Sequence, residues 1–459
     1  MSNSNVRLDR VLTLWPVIIF GLAYMTPLIV LGTFGIVASV SQGAVPTAFL
    51  ITTVAMLFTA FSYGVMAKNY PVAGSAYTYV RKTIDARVGF MVGWAILLDY
   101  FFLPMVIWLI GAAYLSAQFP TVPVWVFLVS FIALTTVLNI IGIKVATTVN
   151  TVLMVFQVLV IVFFVILSLN HVIGISGPAG VFSIKPFINE SSNFSTIAAG
   201  AAVAAYCFLG FDAITTLTEE TLNPRKTIPK AIMLTALIGG IIYIFVGYTT
   251  QLVHPGGAFQ NVDSAAFEIA KVIGRDLFGA FFLAGLVLAQ FTSGIAAQAS
   301  CSRLLFAMGR DSVLPKFIFG YLQPRFRTPV ISIVLTGLVG MIALFLDVLS
   351  AASFINFGAF VAFTMVNLSV VFMYFNKSKQ HNEINKGTFL TRVIVPIIGA
   401  LINLWLMTKL DIKAVTLGSI WFGLGLLYLV YLTKGFKTAP PEIEFDEDGV
   451  DMENLVTQN

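Results

Sequence analysis

Apolar runs of about twenty residues recur along the chain, at 12–40, 45–67, 89–117, 122–141, 147–169, 195–218, 230–253, 276–300, 329–346, 350–374, 391–409 and 414–433. A run of that length covers the hydrocarbon core of a bilayer as a helix. Backbone groups find no water in lipid, so each run must bond its own backbone; the alternating ten-residue pattern of a membrane barrel is absent. Hydrophobic residues make up 58% of the chain and charged ones 10%, against roughly 25% charged in an ordinary soluble domain. The fold class is therefore an all-α integral membrane protein with twelve transmembrane helices.

Charge fixes its orientation. The net charge of +5 conceals an acidic end, where Glu442, Glu444, Asp446, Glu447, Asp448, Asp451 and Glu453 stand without a base between 438 and 459. Of the 26 lysines and arginines, 21 fall in one alternate set of connecting segments and only Lys185, Lys271, Arg275, Lys409 and Lys413 in the other. Bases accumulate on the cytoplasmic side, which predicts a multi-pass protein of the cytoplasmic membrane with both termini inside. The expected organisation is a cytoplasmic segment at 1–11, a core at 12–374, two further helices at 391–433 and an acidic disordered tail at 434–459. The first apolar run continues into a span, so no cleavable signal peptide is expected. Lipid is the expected surrounding and nucleic acid is excluded as a partner. Cys207 and Cys301 sit in apolar stretches and read as small buried hydrophobes.

Two runs contain helix breakers at membrane depth. In the first, Pro27 removes a backbone donor and clashes with the carbonyl four residues back. In the sixth, Gly210 is followed by Asp212, a residue that favours helix starts. Two interrupted helices, each first in a block of five, are the pattern of a secondary transporter built from inverted repeats with its site at the midplane. A proline kink and a glycine contact are the plainer alternative.

Three segments, YPVAGSAYTYVRK at 70–82, FLGFDAITTLTEETLNPRKTIPKAI at 208–232, and SRLLFAMGRDSVLPKF from 302 with PRFRTP from 324, resemble the amino acid, polyamine and organocation (APC) transporter superfamily. The resemblance runs from about residue 12 to residue 433. It implies a LeuT-like five-plus-five inverted repeat, 12–169 and 195–374, with discontinuous first and sixth helices and two additional helices. WPVIIFGLAYMTP at 15–27 and GFMVGWAILLDYFFLPM at 89–105 most resemble the bacterial putrescine importer branch. Amino acid carriers of the superfamily usually have a Gly-(Ser/Thr)-Gly stretch in the first helix, whose bare amides hold a carboxylate. Here the matching residues are Pro27, Leu28 and Ile29, which receive an anion poorly.

Asp99 and Asp212 are acids well inside the hydrocarbon, where a carboxylate is costly unless it is paired, neutral or facing a wet cavity. Asp99 attracts an ammonium or carries the coupling proton; otherwise it is a neutral carboxyl bonded to a neighbouring helix. Asp212 contacts substrate or caps a half-helix. Tyr100 beside Asp99 offers a ring for cation–π contact. Tyr24, Met25 and Thr26 at the first interruption, and Gly210, Phe211 and Thr215 at the second, complete the expected substrate site. By resemblance, Phe208 is the aromatic that closes over substrate. Glu219 and Glu220 with Arg225 form either an inner gate or a solvated ion pair. Ser293, with Thr292, stands where related folds build a sodium site, and Gln157 where some proton-coupled relatives carry a lysine.

These features together predict a secondary active transporter, not an enzyme, that imports a small cationic amine of the putrescine type by alternating access. Proton symport is expected in preference to sodium, with no cofactor or metal, acting as a monomer or weak homodimer. An importer or exchanger of neutral or cationic amino acids on the same fold is the alternative, and a non-transporting membrane sensor a further one.

Overall fold

The computed structural model describes residues 10–71, 75–142, 147–218, 220–310, 313–326, 328–381 and 389–441. Glu219, Lys144 and the acids from Glu442 onward lie outside them. The regular structure among the described residues is helical, apart from one isolated bridge between Leu12 and Thr221.

The first apolar run forms three helices, α1 (Leu14–Met25), α2 (Ile29–Gly32) and α3 (Phe34–Val40). After them come α4 (Val45–Asn69), a connecting helix α5 (Ser75–Thr83), α6 (Ala86–Gln118), α7 (Val124–Ile141) and α8 (Thr147–Ser176). The sixth run is α9 (Phe194–Ala204) followed by two 3-10 segments, Ala205–Phe208 and Phe211–Thr218, on either side of Leu209 and Gly210. Then α10 (Pro224–Val253), α11 (Ala265–Arg310), α12 (Lys316–Phe319), α13 (Val330–Gly340), α14 (Val348–His381), α15 (Val395–Met407) and α16 (Ile412–Leu432) complete the order. Within α11, Arg275 takes φ 56° and ψ −162°, so its first ten residues form a lead-in set at an angle to the long span.

Among the described residues, eleven helices are long and apolar enough to cross a membrane. The ninth expected run is shorter. There α13 and a 3-10 segment, Met341–Phe345, make a 16-residue apolar helix, ~27 Å long against a hydrocarbon core of ~30 Å. The chain turns early because Asp347 caps α14, accepting the amide of Ser350 at 2.7 Å.

Burial sorts the helices into layers. The 194–218 segment, α6 and α14 are mostly covered, whereas α7, α8 and α16 present most of their surface outward. In lipid, packing and interhelical hydrogen bonds hold helices together, without the hydrophobic drive of water. The last two helices are tied in accordingly. Asn403 of α15 donates to Thr59 Oγ1 of α4 at 2.9 Å, beside a Ser62–Asn367 bond at 2.6 Å. Trp421 of α16 and Trp94 of α6 exchange indole-to-carbonyl bonds at 3.0 and 2.9 Å. At the end of the bundle that holds α5, Arg81 reaches the carbonyls of Pro440 and Pro441, and Arg87 donates to that of Phe436 at 2.7 Å.

Candidate functional site

Two interruptions in the chain build the site. After Met25, Thr26 adopts a left-handed φ of 51°, and Pro27 brings no amide, so α1 cannot run on into α2. In the sixth run Gly210 takes φ 102°, and a Cβ placed on it would lie 2.1 Å from Cδ1 of Tyr24. Only glycine meets both conditions, and the Tyr24 ring fills the space a side chain would need. One hydroxyl spans both interruptions: Tyr243 of α10 donates to Cys207 O at 2.8 Å, with Met25 O at 3.4 Å.

Two small chambers meet at Tyr24. The first, the carboxylate chamber, is lined by Tyr24, Ile96, Asp99, Tyr100, Gly210, Asp212 and Ala213, with Ala359, Ala362 and Phe363 from α14. Asp99 Oδ1 is buried without a hydrogen-bond partner among the described residues. Asp212 Oδ2 accepts the hydroxyl of Tyr63 at 3.2 Å, and Tyr63 is wedged edge-on against Phe211 and Phe363. The second, the amide chamber, is lined by Tyr24, Met25, Thr26 and Ile29, by Leu103 and Ile107 of α6, by Tyr206 and Leu209, and by Gln290 and Ser293 of α11. Among the described residues, no Lys, Arg or His lines either chamber.

The structure therefore gathers Tyr24, Asp99, Tyr100, Gly210 and Asp212 in one chamber, and Met25, Thr26 and Ser293, again with Tyr24, in the other. Phe211 and Thr215 are buried behind the first chamber, and the Thr215 hydroxyl is used on the carbonyl of Asp212 at 2.8 Å. Phe208 lines neither; it packs edge-on against Tyr243 at 5.2 Å between ring centroids. Thr292 bonds the carbonyl of Leu288 in its own helix at 2.9 Å. Gln157 on α8 stands away from both chambers with its Oε1 buried and without a partner among the described residues. Glu220 gives its backbone carbonyl to the amides of Val11 and Leu12 at 2.9 and 3.0 Å, and of the expected gate Glu219 lies outside the described residues. Sequence reasoning missed Tyr206, Gln290 and Phe363. Gln290 carried one usable signal, a primary amide in the middle of an apolar run.

Among the described residues, apolar helices thus surround a meeting point of Asp99 and Asp212 lined by no base. The model of the amino acid permease family matches residues 17–419, and the chain belongs to that family, within the APC superfamily. It is a permease and not an enzyme. It is 40% identical to the low-affinity putrescine importer PlaP of Escherichia coli K12, over 96% of this chain and 98% of that one. It is 27% identical to the methylthioribose transporter of Bacillus subtilis, over 94% of this chain and 95% of that one, and 25% identical to the branched-chain amino acid permease BcaP of the same organism, over 89% and 91%.

Proposed function

We propose that this permease is a secondary active transporter that imports a small cationic amine, a four-carbon diamine such as putrescine before others, by proton symport. Twelve spans arranged as two inverted five-helix repeats plus two helices, with both termini cytoplasmic, would let the halves rock about the interrupted first and sixth runs. The observation that carries this function is the half-buried Asp99, whose Oδ1 is buried and without a partner among the described residues, in a chamber shared with Asp212 and lined by no basic side chain among those residues. An ammonium entering there finds carboxylate oxygens and the rings of Tyr24 and Tyr100. The 40% identity to a putrescine importer supports the same substrate class. An inside-negative membrane potential adds about 2.3 kcal/mol per charge per 100 mV, so a dication is strongly drawn inward.

Labelled putrescine uptake into proteoliposomes tests this, with a pH gradient and a sodium gradient imposed in turn. Accumulation that follows the pH gradient and resists competing amino acids is the expected result. Selective displacement by amino acids alone would overturn the amine and favour the second reading, an amino acid carrier, which the similarity to the branched-chain amino acid permease supports.

A further inference from the structure

An ammonium held at Asp99 is only one end of a diamine. Along α6, Leu103 and Ile107 follow Asp99 at helical spacings of four and eight residues and line the amide chamber, rises of ~6 and ~12 Å. The second chamber thus begins about where the far end of a short-chain amine held at Asp99 would arrive. Three hydrogen-bonding side chains converge there: the Gln290 amide, the Tyr206 hydroxyl and the Ser293 hydroxyl. Gln290 is 3% exposed and Tyr206 5%. None of the three makes a side-chain hydrogen bond among the described residues. Ser293 is half-buried. Polar groups in a membrane interior are normally paired, and three side chains without a hydrogen bond around a single chamber point to a ligand that pairs them.

Resting on the proposed amine transport, we infer that Gln290, Tyr206 and Ser293 form a second, uncharged subsite that hydrogen-bonds the distal nitrogen of the substrate. Its oxygens accept from an ammonium or a hydroxyl. The carboxylates of the neighbouring chamber set the sign of the local field, so a cationic or neutral far end is favoured and an anionic one opposed. The site therefore selects short amines that carry a second hydrogen-bonding group, and it reads charge at one pole and hydrogen bonding at the other.

The test measures competition against labelled putrescine in cells or proteoliposomes carrying the full chain, with n-butylamine, 4-amino-1-butanol and 4-aminobutyrate as unlabelled competitors. The amino alcohol should compete at least about tenfold better than n-butylamine, because the latter covers the polar groups of the amide chamber and leaves them unpaired; 4-aminobutyrate should be the weakest. Gln290→Leu, which keeps the bulk of the side chain and loses its amide, should bring the amino alcohol and n-butylamine to within about threefold. Tyr206→Phe reads the same ratio by a second route if Gln290→Leu does not insert. Equal potency of the two competitors on the native protein, or a ratio unmoved by both variants, overturns the subsite alone. Absence of any amine uptake overturns the proposed function and the subsite with it.

Discussion

The Tyr243 hydroxyl donates to the carbonyl of Cys207 at 2.8 Å and lies 3.4 Å from that of Met25, so one side chain of α10 ties down the places where the first and sixth runs stop being regular helix. Carbonyls freed at a helix end in a membrane must find a donor. Tyr243 is buried and cannot be replaced there by bulk solvent. Tyr243→Phe should therefore lower the thermal stability of the detergent-purified protein by a few degrees, the loss of ~1–3 kcal/mol for unpaired buried groups. A melting temperature equal to that of the native protein would show that the interrupted backbone is held by other means.

Gly210 and Tyr24 are related by exclusion. With φ at 102° and a Cβ position 2.1 Å from the Tyr24 ring, alanine at 210 has to move the ring that both chambers share. Gly210→Ala should cut putrescine uptake by more than about tenfold, since strain and overpacking act on the same spot. Uptake normalised to protein in the membrane provides the check, and near-native transport would contradict the packing seen between the two interruptions.

How far the site could be read in advance depended on whether a residue violated the chemistry of its surroundings. Pro27 and Gly210 were legible because they interrupt apolar runs, and Asp99 and Asp212 because an acid in hydrocarbon demands a reason. Gln290 and Tyr206 were not, because polar and aromatic side chains in membrane helices so often face a neighbour or their own backbone. Thr292 and Ser293 make the point: consecutive residues on α11, one bonded back to Leu288 and the other lining the amide chamber. Phe208, one of 41 phenylalanines and taken from the resemblance as the aromatic that closes over substrate, packs on Tyr243 and lines neither chamber. The short ninth helix was legible in its bounds, 329–346 in the sequence against Val330–Phe345 in the structure, and what hydropathy does not reveal is that Asp347 caps the helix that follows.

Asp99→Asn removes a charge at nearly constant volume. Uptake should fall at least about tenfold, equivalent to ~1.4 kcal/mol of lost substrate stabilisation, while the folded yield and melting temperature hold, because Asp99 Oδ1 bonds nothing among the described residues. Size-exclusion profiles and uptake kinetics measured side by side check both halves. Native uptake kinetics in this variant would remove Asp99 from the mechanism.

Tyr79, on α5, is buried beneath the carboxylate chamber: its ring packs edge-on against Tyr63 at 6.1 Å, and Tyr63 in turn bonds Asp212. The Tyr79 hydroxyl has no partner among the described residues, and burial, then the Asp212 carboxylate, push its ionisation above the ordinary tyrosine range. The folded state thus keeps this proton longer than the unfolded chain, whose tyrosines ionise near pH ~10. Folding stability from Tyr79 is present below that pH and declines as pH rises through it. Tyr79→Phe removes both liabilities. It should raise the melting temperature near neutral pH, by relief of an unpaired buried hydroxyl worth about 1–3 kcal/mol, and the gap between the variant and the native protein should widen above about pH 10. Thermal melts across an alkaline series measure both effects, and a variant less stable than the native protein at neutral pH would mean that the hydroxyl is satisfied after all.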